Sequence, residues 1–312
     1  MKKRRILMLI IFIIIFLLIV AYFLIGNYFY NIALNPNTSK TFVLGEPAEL
    51  TEYEQSIQNQ KSEWLEEKSE DVYITSGKLK LHSYKIINET TSNNWVIVVH
   101  GYMGEGKDMI SQAKQFYERG YNVLVVDLRG HGKSEGDYIG MGWPDRLDLI
   151  NWANYIIEQN NDCKIVLYGV SMGAATVMMA TGEELPENIK VAIEDCGYSS
   201  IWEQFKVQLK TLFNLPTFPV LNAANAVCSL RADYRIKDGD CTKQVEKSKT
   251  PTLFIHGDQD KFVPFKMLDK VYEVANCEKQ KLVIEGAAHA QASGVNPELY
   301  WKTIDEFVQK YL

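Results

Sequence analysis

The residues with the most chemistry in this chain lie between Lys164 and Gly173, which read Lys-Ile-Val-Leu-Tyr-Gly-Val-Ser-Met-Gly. Gly169, Ser171 and Gly173 spell Gly-x-Ser-x-Gly, directly after an apolar strand-like run and directly before the helix-like residues 174–179. A sharp strand-to-helix turn lifts a serine hydroxyl out of a sheet, and side chains larger than hydrogen at the two glycine positions would clash there. The first turn of a helix also favours developing negative charge. That chemistry is nucleophilic attack on an acyl carbon. A serine that only caps a helix would explain the hydroxyl, but not the succession of strand, motif and helix.

A serine nucleophile needs a histidine base, and in this arrangement the chain order runs Ser, acid, His. Five histidines are available. His82 lies in a hairpin, His100 and His131 precede Ser171, and His256 ends a strand ahead of any downstream acid. His289 remains, in the small-residue loop Glu285-Gly-Ala-Ala-His289-Ala. For the acid, His256-Gly-Asp258-Gln-Asp260 offers two carboxylates. Asp258 suits a turn beside glycine, and Asp260, further out, is preferred by position. Asp195, at the end of another strand-like run, stays in contention. Whichever acts would fix the imidazole tautomer and stabilise the imidazolium. An oxyanion needs two backbone N–H donors; Met172 supplies one, and Tyr102, in His100-Gly-Tyr-Met-Gly104, is the expected second.

These residues must be held by a scaffold, and the pattern supplies one. Residues 72–76 and 79–87 flank Gly77-Lys78 as a hairpin. Short β-branched runs follow at 95–100, 122–127, 164–168, 191–194, 252–256 and 281–285, separated by helix-length segments. Trp143, Leu147, Ile150, Ala153 and Ile157 have helical spacing, as do Ile110, Ala113, Phe116 and Tyr117. Runs of this kind are buried on both faces, as in a parallel sheet. Such α/β sheets bind ligands beyond the carboxyl ends of their strands.

With His100-Gly101-Tyr102, Asp127-Leu-Arg129-Gly-His131-Gly-Lys-Ser134, Gly169-Val-Ser171-Met-Gly173, His256-Gly257-Asp258-Gln-Asp260, Val263-Pro264 and His289 in this order, the sequence resembles the α/β-hydrolase superfamily. The likeness is to its prolyl-oligopeptidase-like and serine-aminopeptidase-like bacterial members, and it spans residues 72–312. It implies an α/β-hydrolase fold: an eight-stranded, mostly parallel sheet with helices on both faces and a small helical lid. It also implies that Asp260 is the acid and that the Asp127–Ser134 run is structural. The long segment at about 199–250, with Trp202, Phe205, Leu209, Leu212 and Phe213 at helical spacing, would be the lid. Its apolar stripe hints at acyl or aromatic substrates. The expected activity is that of a serine hydrolase on carboxylic esters or related acyl bonds, with peptidase and thioesterase activity as alternatives on the same residues.

The N-terminus is a different material. Lys2-Lys3-Arg4-Arg5 precede residues 6–25, which carry no charge and as a helix span roughly 30 Å, enough to cross a bilayer. Tyr22, Tyr28, Phe29 and Tyr30 cluster at the far end, as interfacial aromatics do. A cleaved signal peptide has a shorter apolar region and a small-x-small site, and none stands near Ile25. Residues 1–27 therefore read as a cytoplasmic basic tip and transmembrane anchor, residues 28–70 as a tether with a polar helix opened by the capping box Thr51-Glu-Tyr-Glu54, and residues 71–312 as the catalytic domain. Positive charge stays inside, so the domain is expected outside the cell membrane.

Composition narrows the rest. The chain has 312 residues, 46% hydrophobic, with a net charge of −6 that argues against a nucleic-acid partner. Five scattered cysteines do not make a disulfide scaffold; Cys228 and Cys241 could pair, but isolated thiols are the expectation. No metal or cofactor is called for, and the partners expected are a small acyl or ester substrate and the lipid bilayer, while the sequence leaves the oligomeric state open. Two rival classes fit the sequence less well. Gly101-Tyr-Met-Gly-Glu-Gly106-Lys107-Asp108 nearly spells a phosphate loop, but Asp108 replaces the hydroxyl that would face magnesium. A non-catalytic, membrane-tethered binding module would be marked by a broken triad, and here Ser171, Asp260 and His289 all stand in order.

Overall fold

The computed structural model describes residues 2–45, 49 and 51–312. The remaining residues (1, 46–48 and 50), which belong to the expected basic tip and tether, lie outside that description. In chain order, α1 (Lys2–Leu34), α2 (Thr41–Leu44) and α3 (Glu52–Lys68) lead into β1 (Ser69–Ser76), β2 (Leu79–Ile86) and β3 (Asn94–Val99). Helices and strands then alternate as α4 (Ile110–Glu118), β4 (Asn122–Val126), α5 (Asp145–Gln159), β5 (Lys164–Val170), α6 (Met172–Ala180) and β6 (Ile189–Asp195). An insertion of α7 (Ile201–Phe213), α8 (Thr217–Arg231) and α9 (Cys241–Lys247) precedes β7 (Thr252–Gly257), α10 (Lys266–Val274), β8 (Lys279–Ile284), α11 (Ala292–Val295) and α12 (Pro297–Val308).

The eight strands form one sheet in the order β1-β2-β4-β3-β5-β6-β7-β8. The hairpin β1–β2 is antiparallel, as is β2 to β4, and all other pairs are parallel. Chain progression reverses about β3, which lies between β4 and β5. That reversal opens a crevice at the carboxyl ends of β3 and β5, where ligands bind in such sheets. Alternate residues of β3 feed two cores. Trp95, Ile97 and Val99 face α5, α6 and the insertion, while Val96 and Val98 face α4 and α12. All nine residues of α6 are buried, which is why the segment after Ser171 is apolar without a helical stripe.

The capping box of α3 forms: Thr51 Oγ1 accepts from the Glu54 N–H and the Glu54 carboxylate accepts from the Thr51 N–H. The helix lies on the domain through Leu65, which is buried, and Trp64, edge-on to Tyr117 of α4 at 5.6 Å. All five cysteines are free thiols.

The N-terminal reading needs one correction. Residues 6–25 are exposed apolar helix except for half-buried Tyr22, long and apolar enough to cross a membrane. The helix does not stop there. It continues to Leu34, so residues 28–34, assigned to the tether, are helical, and Gly26, Tyr30 and Leu34 are buried. Nor do all the terminal aromatics form a lipid-facing belt: Tyr28 is exposed, but Tyr30 is 2% exposed and Phe29 meets Phe213 edge-on at 5.2 Å. The reason is a partner helix. At Gly26 a Cβ would stand 2.4 Å from the Ala223 carbonyl oxygen and 2.8 Å from Val227, so only glycine lets α1 approach α8 this closely.

Gly26→Val therefore forces backbone apart, at a cost of about 1–3 kcal/mol. Thermal unfolding of the full chain in detergent micelles should show a clearly lower midpoint for Gly26→Val. Gly294→Ala, where the added methyl meets nothing within 4 Å, should stay close to wild type.

Candidate active site

Ser171 sits between β5 and α6 with φ 58° and ψ −114°, a left-handed conformation uncommon outside glycine. Two glycines permit the turn. A Cβ on Gly169 would lie 2.3 Å from the Gly173 carbonyl carbon, and one on Gly173 would lie 2.2 Å from the Val99 carbonyl oxygen. The Ser171 N–H donates to the Asp195 carbonyl at 2.8 Å, which ties the turn to the next strand.

His289 and Asp260 arrive on two crossed loops. Gly257, at the end of β7, passes so close to Ala287 that a Cβ would lie 2.2 Å from its carbonyl oxygen. Asp258 Oδ1 accepts the Gly286 N–H at 2.7 Å and fastens the loops together. The sequence places Asp258 in a local turn bonding its own backbone; its carboxylate instead reaches a loop 28 residues further on. The sequence-predicted nucleophile, base and acid then form one chain: His289 Nε2 is 2.8 Å from Ser171 Oγ, and His289 Nδ1 is 2.7 Å from Asp260 Oδ2. Phe262 leans on the imidazole, ring centres 5.0 Å apart.

Asp260 Oδ1 accepts two backbone N–H groups, from Phe262 and Val263, both at 2.9 Å. Its Oδ2 also faces His256 Nε2 at 3.2 Å. Burial opposes ionisation of this carboxyl, but hydrogen bonds from His256, His289 and Val263 outweigh it and hold the group down at about 2. Asp195, the contending acid, is engaged elsewhere. Its Oδ2 accepts the Tyr300 hydroxyl at 2.8 Å, and burial pushes it up to about 6. Sequence reasoning missed His256 as a neighbour of Asp260. The signal was its place at the end of β7, four residues before the acid.

Tyr102 and Met172 line the same cavity as Ser171. Met172 opens α6, where the first N–H groups have no partner within the helix. The loop carrying Tyr102 is shaped by His100, whose Nδ1 donates to the Gly101 carbonyl at 2.7 Å and whose Nε2 accepts the Leu128 N–H at 3.0 Å. Burial, aided by His131, lowers His100 to about 3, so this tautomer stays neutral. The Asp127–Ser134 run lies beneath. Asp127 accepts from the Gly106 and Lys133 N–H groups and from His82 Nδ1. These bonds fit a structural loop and also deny the phosphate-loop reading its amide, since Gly106 N–H is taken; Lys107 pairs with Glu105 at 2.7 Å. Cys196 offers a sulfur within 4.8 Å of the ligating atoms of Asp260 and His289. Burial raises this thiol well above its ordinary range, so it stands beside the pair as a protonated group.

The cavity is apolar and holds about 870 Å³ of empty space including its open mouth. Phe205, Leu209, Leu212 and Phe213 of α7 line it, as do Val220 and Leu221 of α8. Trp202 of the expected lid stripe is not in the lining and lies under Lys237 Nζ at 4.3 Å. One wall was not foreseen: it comes from the end of α1.

The strand order, with its reversal at β3 and a serine on the tight turn after β5, defines an α/β-hydrolase fold. The chain has this fold, and residues 90–218 match the family described as serine aminopeptidase, S33. It is 28% identical over 229 residues to the uncharacterized protein YqkD of Bacillus subtilis, covering 73% of this chain and 75% of the relative. An uncharacterized membrane protein of Saccharomyces cerevisiae is 24% identical over 236 residues, 75% of this chain and 77% of the relative. Among solved structures, the Pyrococcus furiosus esterase Pf2001 superposes with a TM-score of 0.65 and 25% identity, over 80% of this chain and 95% of the esterase.

The low position of Asp260 gives a pH test with a definite sign. A carboxyl depressed by folding stabilises the native state above its unfolded value, near 3.9, and that contribution fades as pH falls through about 2. Urea unfolding of wild type and Asp260→Asn should therefore differ by a constant amount above pH about 4, with the gap closing toward pH about 2.

Proposed function

We propose that this chain is a membrane-anchored serine hydrolase that cleaves carboxylic esters or related acyl bonds through an acyl-enzyme. The single observation that carries this reading is the unbroken chain from Ser171 Oγ to His289 at 2.8 Å and from His289 to Asp260 at 2.7 Å, beside an apolar pocket. In the first half-reaction Ser171 Oγ attacks the acyl carbon while His289 Nε2 takes its proton, then passes that proton to the departing alcohol. In the second, water attacks the acyl-serine, and His289 returns the proton to Ser171 as the acid leaves. Asp260 keeps Nδ1 protonated and stabilises the imidazolium. The backbone N–H groups of Met172 and Tyr102 stabilise the oxyanion. The step calls for no metal or cofactor.

The likeness to the esterase Pf2001 supports ester cleavage. An apolar pocket lining supports an acyl group as the part recognised. The long apolar helix supports anchoring, and the four cations before it support an N-terminus in the cytoplasm with the domain outside the cell membrane.

A fluorophosphonate probe should label wild type and fail to label Ser171→Ala. On p-nitrophenyl esters, Asp260→Asn should lose activity by about 10⁴-fold, as when the acid no longer fixes the tautomer, while Asp195→Asn retains most of it. The reverse pattern would transfer the acid role to Asp195. Protease shaving of intact cells should degrade the catalytic domain; protection until lysis would invert the orientation.

A further inference from the structure

The last turns of the anchor helix are part of the pocket. Phe29, Tyr30, Ile32, Ala33 and Leu34 line the cavity that contains Ser171. The helix is fixed in that position from several sides. Arg231 of α8 donates to the side-chain oxygens of Asn27 and Asn31, both at 2.8 Å, and its guanidinium lies 4.1 Å from the centre of the Tyr30 ring. The Tyr102 hydroxyl donates to the Ala33 carbonyl at 2.8 Å, and the Ile139 N–H donates to the Leu34 carbonyl at 2.7 Å.

The depth of the pocket relative to a bilayer follows from the same helix. Exposed apolar surface runs along residues 6–25. The Asn27, Asn31 and Arg231 cluster is the first hydrogen-bonded polar collar beyond it. At 1.5 Å per residue, Phe29 lies about 3 Å and Ala33 about 9 Å past Asn27 along the helix. The pocket wall thus begins about one helical turn beyond the apolar span. The lid adds exposed apolar groups at this end of the molecule. Leu215 and Phe218, in and after the α7–α8 turn, are 36% and 75% exposed, and Leu230 beside Arg231 is 71% exposed. The first two follow Phe213, which touches Phe29. None of the three lines the pocket.

We propose that the site takes its substrate from the bilayer itself, as a membrane-resident acyl ester. This rests on the serine-hydrolase reading. The acyl chain enters between the end of α1 and the α7–α8 turn, lies in the apolar cavity, and brings its ester carbonyl to Ser171. Ser171 Oγ bonds to the acyl carbon as the ester C–O bond breaks, the lipid alcohol leaves with the proton from His289, and water then releases the fatty acid. A chain that moves from lipid to pocket passes between two apolar surroundings. One drawn from solution would instead require the apolar lid tip to stand in water, unfavourable in proportion to its area. Amphipathic surface beside a span is stable when its apolar face is sunk at the headgroup boundary.

The test uses the full chain reconstituted into vesicles of dioleoyl phosphatidylglycerol and dioleoyl phosphatidylcholine, with fatty-acid release, p-nitrophenyl butyrate turnover and fluorophosphonate labelling read in parallel. Wild type should label, turn over butyrate and release oleate from its host vesicles. Leu215→Asp/Phe218→Asp should cut oleate release at least tenfold, with butyrate turnover within twofold of wild type. Leu212→Trp, which fills the cavity, should lower the ratio of palmitate to butyrate ester turnover at least tenfold in detergent. Labelling and butyrate turnover without oleate release would overturn the bilayer source and leave the hydrolase reading standing, as would oleate release that ignores the lid double variant. No labelling of wild type would overturn the hydrolase reading and this inference together.

Discussion

The backbone turn at Ser171 is the constraint on which the rest of the site depends. A non-glycine residue at φ 58° and ψ −114° is strained, and such strain costs of order 1–3 kcal/mol and persists only where the surroundings over-determine it. Here β5 is held on both sides by β3 and β6. The helix that follows is buried along its whole length, and the serine's own N–H is bound to Asp195. The turn in turn dictates its neighbours. A Cβ on Gly101 would make ordinary contact with that of Ser171, at 3.4 Å, whereas Gly173 must be small because β3 ends against it, with the Val99 carbonyl oxygen 2.2 Å from where a Cβ would stand. The loop after β3 therefore lies against Ser171 through the same close packing.

Around this turn, burial alone does not decide which groups are charged. Asp260, Asp195 and Glu194 are all buried carboxyls at strand ends. Asp260 receives two backbone N–H groups and faces two imidazoles, and it stays ionised at about 2. Asp195 receives a single tyrosine hydroxyl and rises to about 6; Glu194, with the Gly197 N–H, rises to about 8. The count of donors separates them. His100 is the contrasting case: burial and the neighbouring His131 lower it to about 3 against the raising effect of its hydrogen bond to the Gly101 carbonyl. A neutral imidazole beneath the Tyr102 loop and an anionic carboxyl between His256 and His289 therefore follow from the partners that each group has.

Much of this was legible in the sequence because chain order and strand ends carry it. Ser171, His289 and the strand alternation follow from local patterns of two to ten residues. The choice between Asp260 and Asp195 was not so local. It turns on Tyr300, which reaches Asp195 from α12 across 105 positions, and no short motif encodes that contact. The end of α1 was misread for a related reason. Asn31, Asn35 and Pro36 read as a tether because they are poor helix residues taken one by one. Yet Gly26, Tyr30 and Leu34 repeat at intervals of four, the row that one helix offers to another. The pattern was present, but its partner, α8, lies almost two hundred residues away.

That row also explains why the long apolar helix ends inside the domain rather than in solvent. The last four carbonyls of any α-helix lack partners within it. In α1 three of these four find donors on separate elements. The Asn31 carbonyl takes Lys40 Nζ at 3.3 Å, the Ala33 carbonyl takes the Tyr102 hydroxyl, and the Leu34 carbonyl takes the Ile139 N–H. Lys40 bonds the Asn35 carbonyl as well, at 2.8 Å, so a cation closes the negative end of the helix dipole. Two of the three donors belong to loops that the sheet positions, and one of these is the loop that approaches Ser171. The helix cannot tilt or withdraw without breaking bonds to that loop. The long apolar helix, the pocket wall and the backbone beside Ser171 are therefore one continuous hydrogen-bonded body, in which the geometry at Ser171 is set in part by a helix whose other end lies more than twenty residues away along an apolar run.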